Sequence, residues 1–215
     1  MKKFRVLSLA LALTLCFSLT ACGNNGGGKE SSDPGSTGSA SGDTIKVGLL
    51  GNTTGASAQY GNAVFNGAKL YVEELNAAGG INGKTVELVE YDEEGDAAKA
   101  QTGYGSLVDS GVTAILGSVL TSPTVAVAPL ADEDGMPMIT ASATATSVTY
   151  NEETDTVYGH MFRSCFIDPF QGSTMASFAS AELGAKTAAI LTNNGSAYSQ
   201  GLTDAFVEKA AEVGL

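Results

Sequence analysis

Short β-rich runs alternate with longer helical stretches along most of this chain, and this alternation limits the possible folds more than any other feature. We predict strands over 45–50, 85–91, 113–116, 137–140, 157–163 and 186–192. We predict helices over 60–78, 97–109, 123–132, 170–183 and 199–213. Strands joined through helices form parallel βαβ units with right-handed crossovers. The sequence therefore predicts an α/β fold with a doubly wound parallel sheet covered by helices on both faces.

The first predicted helix has the periodicity of an amphipathic segment. Its apolar face is predicted to contain Val64, Ala68, Tyr71, Val72 and Leu75. The glycine pair 79–80 follows and is expected to end the helix.

The first 21 residues have the pattern of a signal peptide. Three basic residues precede an apolar run over 6–19, which ends in Leu19-Thr20-Ala21-Cys22, a motif that resembles a bacterial lipobox. The run is too short for a membrane span. We predict that residues 1–21 are removed and that Cys22 carries a diacylglycerol, whose two acyl chains give stable anchoring. An ordinary secreted protein with an incidental cysteine is the alternative.

Residues 22–43 consist mainly of Gly, Ser, Asn, Asp and Thr and contain almost no apolar residue. A segment of this composition cannot bury a core and behaves as a flexible tether. We therefore expect an extracytoplasmic domain that is attached to the cell membrane through its lipid anchor alone.

The charge of the chain excludes some partners. Three of the 11 basic residues and none of the 23 acidic ones lie in residues 1–21, so the remainder has a formal charge of −15. Such acidity argues against binding to nucleic acid or to anionic lipid. A hydrophobic content of 43% is still that of a globular domain, so the acidity belongs to its surface.

The inventory of reactive side chains argues against an enzyme. Cys16 lies in the predicted signal peptide and Cys22 at the predicted anchor, which leaves Cys165 without a disulfide partner; His160 is the single histidine. One cysteine and one histidine offer little for a zinc site or a Ser-His-Asp triad. We expect no metal and no cofactor.

Three predicted loops follow the first, third and fourth strands. Ligands of open parallel sheets bind at the carboxyl ends of the strands, so these loops, over 51–61, 117–124 and 140–147, are candidates. The first contains neither a GxGxxG fingerprint nor a Gly-Lys-Ser/Thr ending, which weakens a nucleotide interpretation. In the second, Ser122 as N-cap and Pro123 at the first helical position are also what simple capping requires. Each loop alone could be a solvent loop, but three at one sheet edge favour a pocket.

Several blocks of the chain, from about residue 45 to its end, resemble those of the leucine/isoleucine/valine-binding proteins in the same order. These are type I periplasmic-binding-protein folds that serve ABC transporters. The most specific block is Asn76-Ala77-Ala78-Gly79-Gly80-Ile81-Asn82-Gly83. The other blocks are Lys46-Val47-Gly48, Ala58-Gln59-Tyr60-Gly61, Phe65-Asn66-Gly67-Ala68, Tyr91-Asp92, Gly135-Met136-Pro137-Met138-Ile139, Phe162-Arg163, Asp168 with Gln171-Gly172, and Tyr198-Ser199-Gln200-Gly201.

The resemblance implies two α/β lobes that close on a free amino acid, with residues 44–167 as the first lobe and 168–215 as the incomplete beginning of the second. It implies that Thr121 and Thr144 hold the ligand's α-carboxylate, and that the carbonyl of Ser142 accepts from its ammonium group. An unpaired buried carboxylate is very costly, so several donors are expected there.

The resemblance also implies an apolar part of the site. Tyr60 and Tyr198 are expected to cover the ligand, and Val119 and Leu120 to line the pocket for its side chain. The best-known family members carry a cysteine pair where this chain has Gly95 and Leu120. Family members continue beyond the position of Leu215, and the acid that neutralises the ligand's ammonium lies in that continuation.

Together, these features predict a substrate-binding lipoprotein of an ABC importer for branched-chain or similar amino acids. We expect a monomer that meets ABC permease subunits and binds no nucleic acid. A receptor of the same fold for another small ligand, such as an amide or urea, is the nearest alternative. A phosphate-processing or dehydrogenase-like enzyme would need a phosphate fingerprint or a catalytic dyad, and the sequence shows neither.

Overall fold

The structure is a computed structural model that describes residues 44–215. The predicted signal peptide, the lipidation site Cys22 and the tether lie outside the described residues. The strands are β1 Ile45–Gly51, β2 Val86–Asp92, β3 Ala114–Gly117, β4 Met138–Thr140, β5 Tyr150–Asn151, β6 Thr156–Val157 and β7 Met161–Arg163. The helices are α1 Ala58–Ala77, α2 Ala97–Asp109, α3 Thr121–Glu133, α4 Asp168–Ala181 and α5 Ala197–Val213, with a 3₁₀ turn at Thr146–Val148.

Five strands form one parallel sheet in the order β2-β1-β3-β4-β7. The chain leaves β1 in one direction to form β2 and then crosses back to form β3, β4 and β7. Right-handed crossovers therefore place α1 on one face and the mutually packed α2 and α3 on the other. The predicted doubly wound α/β architecture is confirmed. Its strand order reverses beside β1, which is where such sheets form a ligand crevice.

The larger core lies between the sheet and the α2–α3 layer. Its buried side chains come from β1, α2, β3, α3, β4 and β7; they include Leu50, Leu107, Ile115, Val127, Met138 and Met161. On the opposite face, α1 buries Gly61 and Phe65. The predicted apolar face of α1 was wrong in one residue, because Tyr71 is 65% exposed.

Two strand predictions were wrong. Residues 157–163 divide into β6, which pairs antiparallel with β5, and β7, which joins the parallel sheet beside β4. Residues 186–192 form no strand. A strand requires a neighbour for its backbone hydrogen bonds, and no strand of the described residues lies beside this segment. Helices α4 and α5, which flank it, pack against each other instead.

Candidate functional site

A cavity of about 640 Å³ opens at the carboxyl edge of the sheet. Its walls come from the loops after β1, β2, β3, β4 and β7, from α1 and from the region where α5 begins. The lining residues are Ser57, Tyr60, Ala63, Val64, Gly95, Val119, Leu120, Thr121, Ser122, Pro123, Ser142, Thr144, Phe166, Gly195, Ser196 and Tyr198. All seven predicted ligand-binding residues lie on this wall: Tyr60, Val119, Leu120, Thr121, Ser142, Thr144 and Tyr198. Their roles toward a ligand remain predictions.

The loop after β3 reaches the cavity through a backbone that only glycine permits. Gly117 has a φ of 137°, and a Cβ there would overlap the carbonyl oxygen of Leu50. The chain then turns through 118–120 into α3. This sharp turn brings Val119 and Leu120 to the wall of the cavity.

Helix α3 begins two residues earlier than the sequence suggested. Leu120, in extended conformation, occupies the N-cap position, and no side chain caps the helix. The prediction of Ser122 as N-cap was therefore wrong, since Thr121 is already helical. An uncapped N-terminus leaves backbone amides unsatisfied and carries partial positive charge, so it suits an anion.

The loops after β3 and β4 are joined by three hydrogen bonds. The Ser142 hydroxyl donates to the carbonyl of Val119 at 2.6 Å. The Thr140 hydroxyl donates to the carbonyl of Ser118 at 2.6 Å, and the amide of Thr144 donates to the Thr121 hydroxyl oxygen at 3.3 Å. The two loops thus form one continuous wall.

The Thr144 hydroxyl has unused hydrogen-bonding capacity. Thr144 is 4% exposed, and its Oγ1 atom has no hydrogen-bond partner among residues 44–215. Buried polar groups nearly always have a hydrogen-bond partner, and one without a partner lowers the stability of the fold. The residue lines the cavity, so a polar ligand there could supply the missing partner.

Arg163, at the end of β7, supports the loop that carries Thr144. Its guanidinium donates to the Ala145 carbonyl at 2.7 Å and to the Thr149 hydroxyl at 2.6 Å, with longer bonds of 3.4 Å to the carbonyls of Ala143 and Thr146. Burial lowers the pKa of Arg163, but arginine is protonated at neutral pH in any protein site. The Arg163 guanidinium therefore keeps its positive charge.

Asp168 holds the other side of the same loop. Its backbone amide donates to the Thr144 carbonyl at 2.9 Å. Its side chain is 1% exposed, and neither carboxyl oxygen has a hydrogen-bond partner among the described residues. Burial raises the pKa of Asp168, and the nearby Thr144 hydroxyl and Arg163 charge offset only part of that rise.

The cavity lining carries no charge. None of the described residues on its wall is Asp, Glu, Lys, Arg or His. No group of acidic, His or Cys side chains within residues 44–215 is arranged to hold a metal ion. Thr121, Ser142 and Thr144 lie on the loops that the hydrogen bonds join, further hydroxyls come from serines at 57, 122 and 196 and from two tyrosines, and the rest of the wall is largely apolar. The site can therefore hold a small molecule with one polar end and one apolar end.

Sequence reasoning missed Phe166, which adds an aromatic ring to the apolar wall. Phe166 follows β7, the last strand of the sheet, and the rule that inspects loops after parallel strands would have found it if that loop had been included. Ala63 and Val64, on the first turns of α1, were not predicted as cavity residues. Apolar residues at this point of a helix are equally typical of a face that packs on the core.

A parallel sheet with such a cavity at its carboxyl edge defines an α/β domain that binds small molecules. Residues 44–215 match the profile of the family described as periplasmic binding protein, and the chain belongs to this family. The resemblance to leucine/isoleucine/valine-binding proteins is confirmed by a relative in Pseudomonas aeruginosa. That relative, a leucine-, isoleucine-, valine-, threonine- and alanine-binding protein, is 33% identical over 173 residues, which are 80% of this chain and 45% of the relative.

Solved structures show the same similarity. The branched-chain amino acid transporter substrate binding protein LivJ from Streptococcus pneumoniae, in complex with isoleucine, has a TM-score of 0.71 and 36% identity. The match covers 78% of this chain and 47% of LivJ. An ABC transporter solute binding protein from Rhodopseudomonas palustris, in complex with 4-hydroxybenzoate, has a TM-score of 0.69 and 29% identity over 80% of this chain and 45% of that protein. The chain spans about half the length of the relatives it matches.

Among residues 44–215, no helix is both long enough and apolar enough to cross a bilayer.

Proposed function

We propose that this chain belongs to an extracytoplasmic substrate-binding lipoprotein that captures branched-chain or similar amino acids for an ABC importer. The observation that carries the proposal is the unpartnered hydroxyl of Thr144 beside the uncapped N-terminus of α3, on the wall of an uncharged, largely apolar cavity.

The polar end of the cavity suits a carboxylate. A buried carboxylate needs several donors, and hydrogen bonds to a charged acceptor are stronger than neutral ones. The hydroxyls of Thr121 and Thr144 and the first amides of α3 would provide these donors. The positive end of the helix would add a favourable field.

The apolar end suits an aliphatic side chain. Val119, Leu120 and Phe166 would surround it, and removing each methylene from water contributes about 0.8 kcal/mol. Tyr60, on α1, and Tyr198, on α5, both line the cavity and are 58% and 40% exposed, so both rings are available to cover a ligand.

An ammonium group would need an acceptor or a negative charge. The carbonyl of Ser142 is the proposed acceptor within this chain. The described cavity wall offers no carboxylate, and we propose that the neutralising acid belongs to the portion of the relatives that this chain does not span. In this view residues 44–167 form the first lobe and residues 168–215 begin the second.

The remaining parts of the proposal rest on the leader pattern and the family. Lipid anchoring at Cys22, delivery to permease subunits, a monomeric state and the absence of enzymatic activity all belong to the same hypothesis. Family membership supports an extracytoplasmic position, and the names of the relatives support transport.

An aromatic carboxylate is the second candidate ligand. The lack of an acidic side chain on the described cavity wall favours it, because a benzoate has no ammonium to neutralise. The R. palustris neighbour was solved with 4-hydroxybenzoate. A neutral amide or urea would gain less from the donors gathered near α3.

A ligand series tests the proposal. The chain is titrated with leucine, isoleucine, glycine, 4-hydroxybenzoate and urea, and binding is followed through its amide NMR signals. We expect leucine and isoleucine to bind more tightly than glycine, which has the same charged groups and no side chain. Preference for 4-hydroxybenzoate would select the second candidate, and equal binding of glycine and leucine would contradict the apolar pocket.

A further inference from the structure

A fully buried carboxylate lies directly behind the cavity. Glu93, in the loop after β2, is 0% exposed and does not line the cavity itself. Its Oε1 atom accepts from the Ser118 hydroxyl at 2.8 Å, and its Oε2 atom accepts from the amide of Gly95 at 2.6 Å. Its own amide donates to the carbonyl of Gly51 at 3.1 Å. One residue thus contacts the ends of β1, β2 and β3.

The hydrogen bonds continue from Glu93 to the loop after β4. The Ser118 carbonyl accepts from the Thr140 hydroxyl at 2.6 Å, and the Thr140 oxygen accepts from the amide of Ala143 at 3.1 Å. Ala143 directly precedes Thr144, and Gly95 lines the cavity. Every step of this chain has a defined donor and acceptor, so a change at Glu93 should be felt at both loops.

The charged neighbours of Glu93 are few. Burial raises the pKa of Glu93, and the hydrogen bonds from Ser118 and Gly95 offset part of this rise. The neighbouring charge of Asp92 raises the pKa further. Asp92 is itself held by the hydroxyl of Thr54. On the same loop, Glu94 pairs with Lys99 of α2 at 2.7 Å, and the Asp96 side chain caps α2.

A buried carboxylate is costly, and an apolar or amide side chain of similar size would remove that cost. We propose that Glu93 is a positioning residue for ligand binding, whose two carboxylate oxygens fix the loops after β2 and β3 and, through Ser118 and Thr140, the loop that carries Thr144. The identity of the ligand rests on the proposed function, whereas the coupling between the loops does not.

An NMR pH titration of the whole chain tests this coupling. In the parent, the amide signals of Gly95 and Ala143 should titrate together, with one midpoint above the ordinary range of a glutamate. Because the buried carboxyl of Asp168 lies against the same loop as Ala143, the comparison is made in an Asp168→Asn background, in which Glu93→Gln should abolish the titration at both amides. Ser118→Ala should preserve it at Gly95 and remove it at Ala143, and this second variant decides the question if Glu93→Gln does not fold. Glu94→Gln is the matched control, because Glu94 is next to Glu93 in sequence but exposed. In this variant the amides of Gly95 and Ala143 should titrate as they do in the parent.

Leucine affinity, measured on the same samples, links the network to binding. Glu93→Gln should weaken leucine binding by at least about tenfold, the size of one lost hydrogen bond to a charged group, and Glu94→Gln should not. An Ala143 amide that titrates unchanged in Glu93→Gln would overturn the proposal, as would unaltered leucine affinity. If neither the chain nor its fusion to the C-terminal half of the P. aeruginosa relative binds leucine, the proposed ligand is wrong, and the amide titration alone decides the role of Glu93.

Discussion

The guanidinium of Arg163 donates a 2.7 Å hydrogen bond to the carbonyl of Ala145, which directly follows Thr144, a cavity-lining residue whose hydroxyl has no hydrogen-bond partner among residues 44–215. The position of Thr144 therefore depends on a side chain from a different strand. This relationship makes the site sensitive to changes that touch no ligand.

Replacement of Arg163 should weaken both the fold and the site. Arg163→Gln loses the charged bonds to the loop over 143–149, so the free energy of unfolding should fall by about 2 kcal/mol, within the range for a hydrogen bond to a charged group. Leucine binding should weaken in parallel. Urea unfolding and ligand titration are the measurements. Lys46→Gln is the control, because Lys46 donates one exposed bond to the Ser110 carbonyl; a similar loss in both variants would argue against a specific role of Arg163.

The Thr144 hydroxyl should matter for binding and not for folding. Thr144→Val removes a hydroxyl that makes no hydrogen bond to residues 44–215 but lies beside the Asp168 carboxyl, so stability should be nearly unchanged, while leucine binding should weaken by about 1.5–3 kcal/mol. Thr124→Val provides the opposite case, since the Thr124 hydroxyl donates to the Leu120 carbonyl at 2.7 Å and its residue does not line the cavity. That variant should lose about 1 kcal/mol of stability and keep its affinity. Calorimetric titration and thermal unfolding separate the two, and a stability loss in Thr144→Val would contradict the assignment.

The buried carboxyl of Asp168 should make stability depend on pH in an unusual direction. Its pKa is raised above the ordinary value of 3.8, so between that value and the folded-state pKa the folded chain binds more protons than the unfolded chain. The free energy of unfolding should therefore fall as pH rises through this window and level off above the folded-state pKa. Glu93, whose pKa is also raised, contributes in the same direction.

Asp168→Asn should flatten this profile and raise stability at neutral pH. Urea unfolding between acidic and neutral pH measures it, and Asp204→Asn, at an exposed position of α5, serves as control. A stability that rises with pH in the parent, and less so in Asp168→Asn, would show that Asp168 is stabilised as a carboxylate in the folded chain.

Truncation of two leucines should affect the free energy of unfolding differently. Leu107→Ala opens a cavity in the core and should cost about 2–5 kcal/mol, because Leu107 is 1% exposed. Leu191 is 100% exposed in the segment 186–192, so Leu191→Ala should leave stability unchanged and reduce aggregation, since exposed apolar side chains favour association. Urea unfolding and light scattering check both. A loss of stability in Leu191→Ala would mean that this segment is packed.

The sequence predicted the first four strands and the three helices between them because each combines a short β-rich run or a helical period with clear turn residues. It failed where position in the fold outweighs local preference. Residues 186–192 are apolar and β-rich, yet a strand needs a neighbour, which no local pattern provides. On α1 the period was correct, but it could not distinguish buried Phe65 from exposed Tyr71.

The sequence predicted where the candidate site lies, but not the hydrogen bonds that hold its loops in place. The rule of carboxyl-end loops and the family resemblance together located seven cavity residues. The bonds from Arg163 to Ala145 and from Ser118 to Glu93 could not be predicted, because the residues they join are 18 and 25 positions apart in the sequence. The preference of serine for N-cap positions gave a wrong prediction at Ser122, because the turn after Gly117 already starts α3 at Thr121.

A two-lobe mechanism requires contacts from both lobes for tight binding. We expect this chain to bind branched-chain amino acids at least about a hundredfold more weakly, roughly 2.8 kcal/mol, than a chimera in which the C-terminal half of the P. aeruginosa relative continues it. One lobe leaves part of the ligand in water. Titration of both proteins with leucine measures the difference, and micromolar or tighter binding by the chain alone would show that one lobe suffices.

The position of bound isoleucine shows whether the cavity at the carboxyl edge of the sheet holds the amino acid in the proposed orientation. Intermolecular NOEs are measured between isoleucine and the chain, together with amide shifts across the loops. The account predicts NOEs from the isoleucine methyls to the methyls of Val119 and Leu120, and the largest shifts at the amides of Thr121 and Thr144. Isoleucine contacts that fall elsewhere, or binding that leaves these amides unshifted, would contradict it.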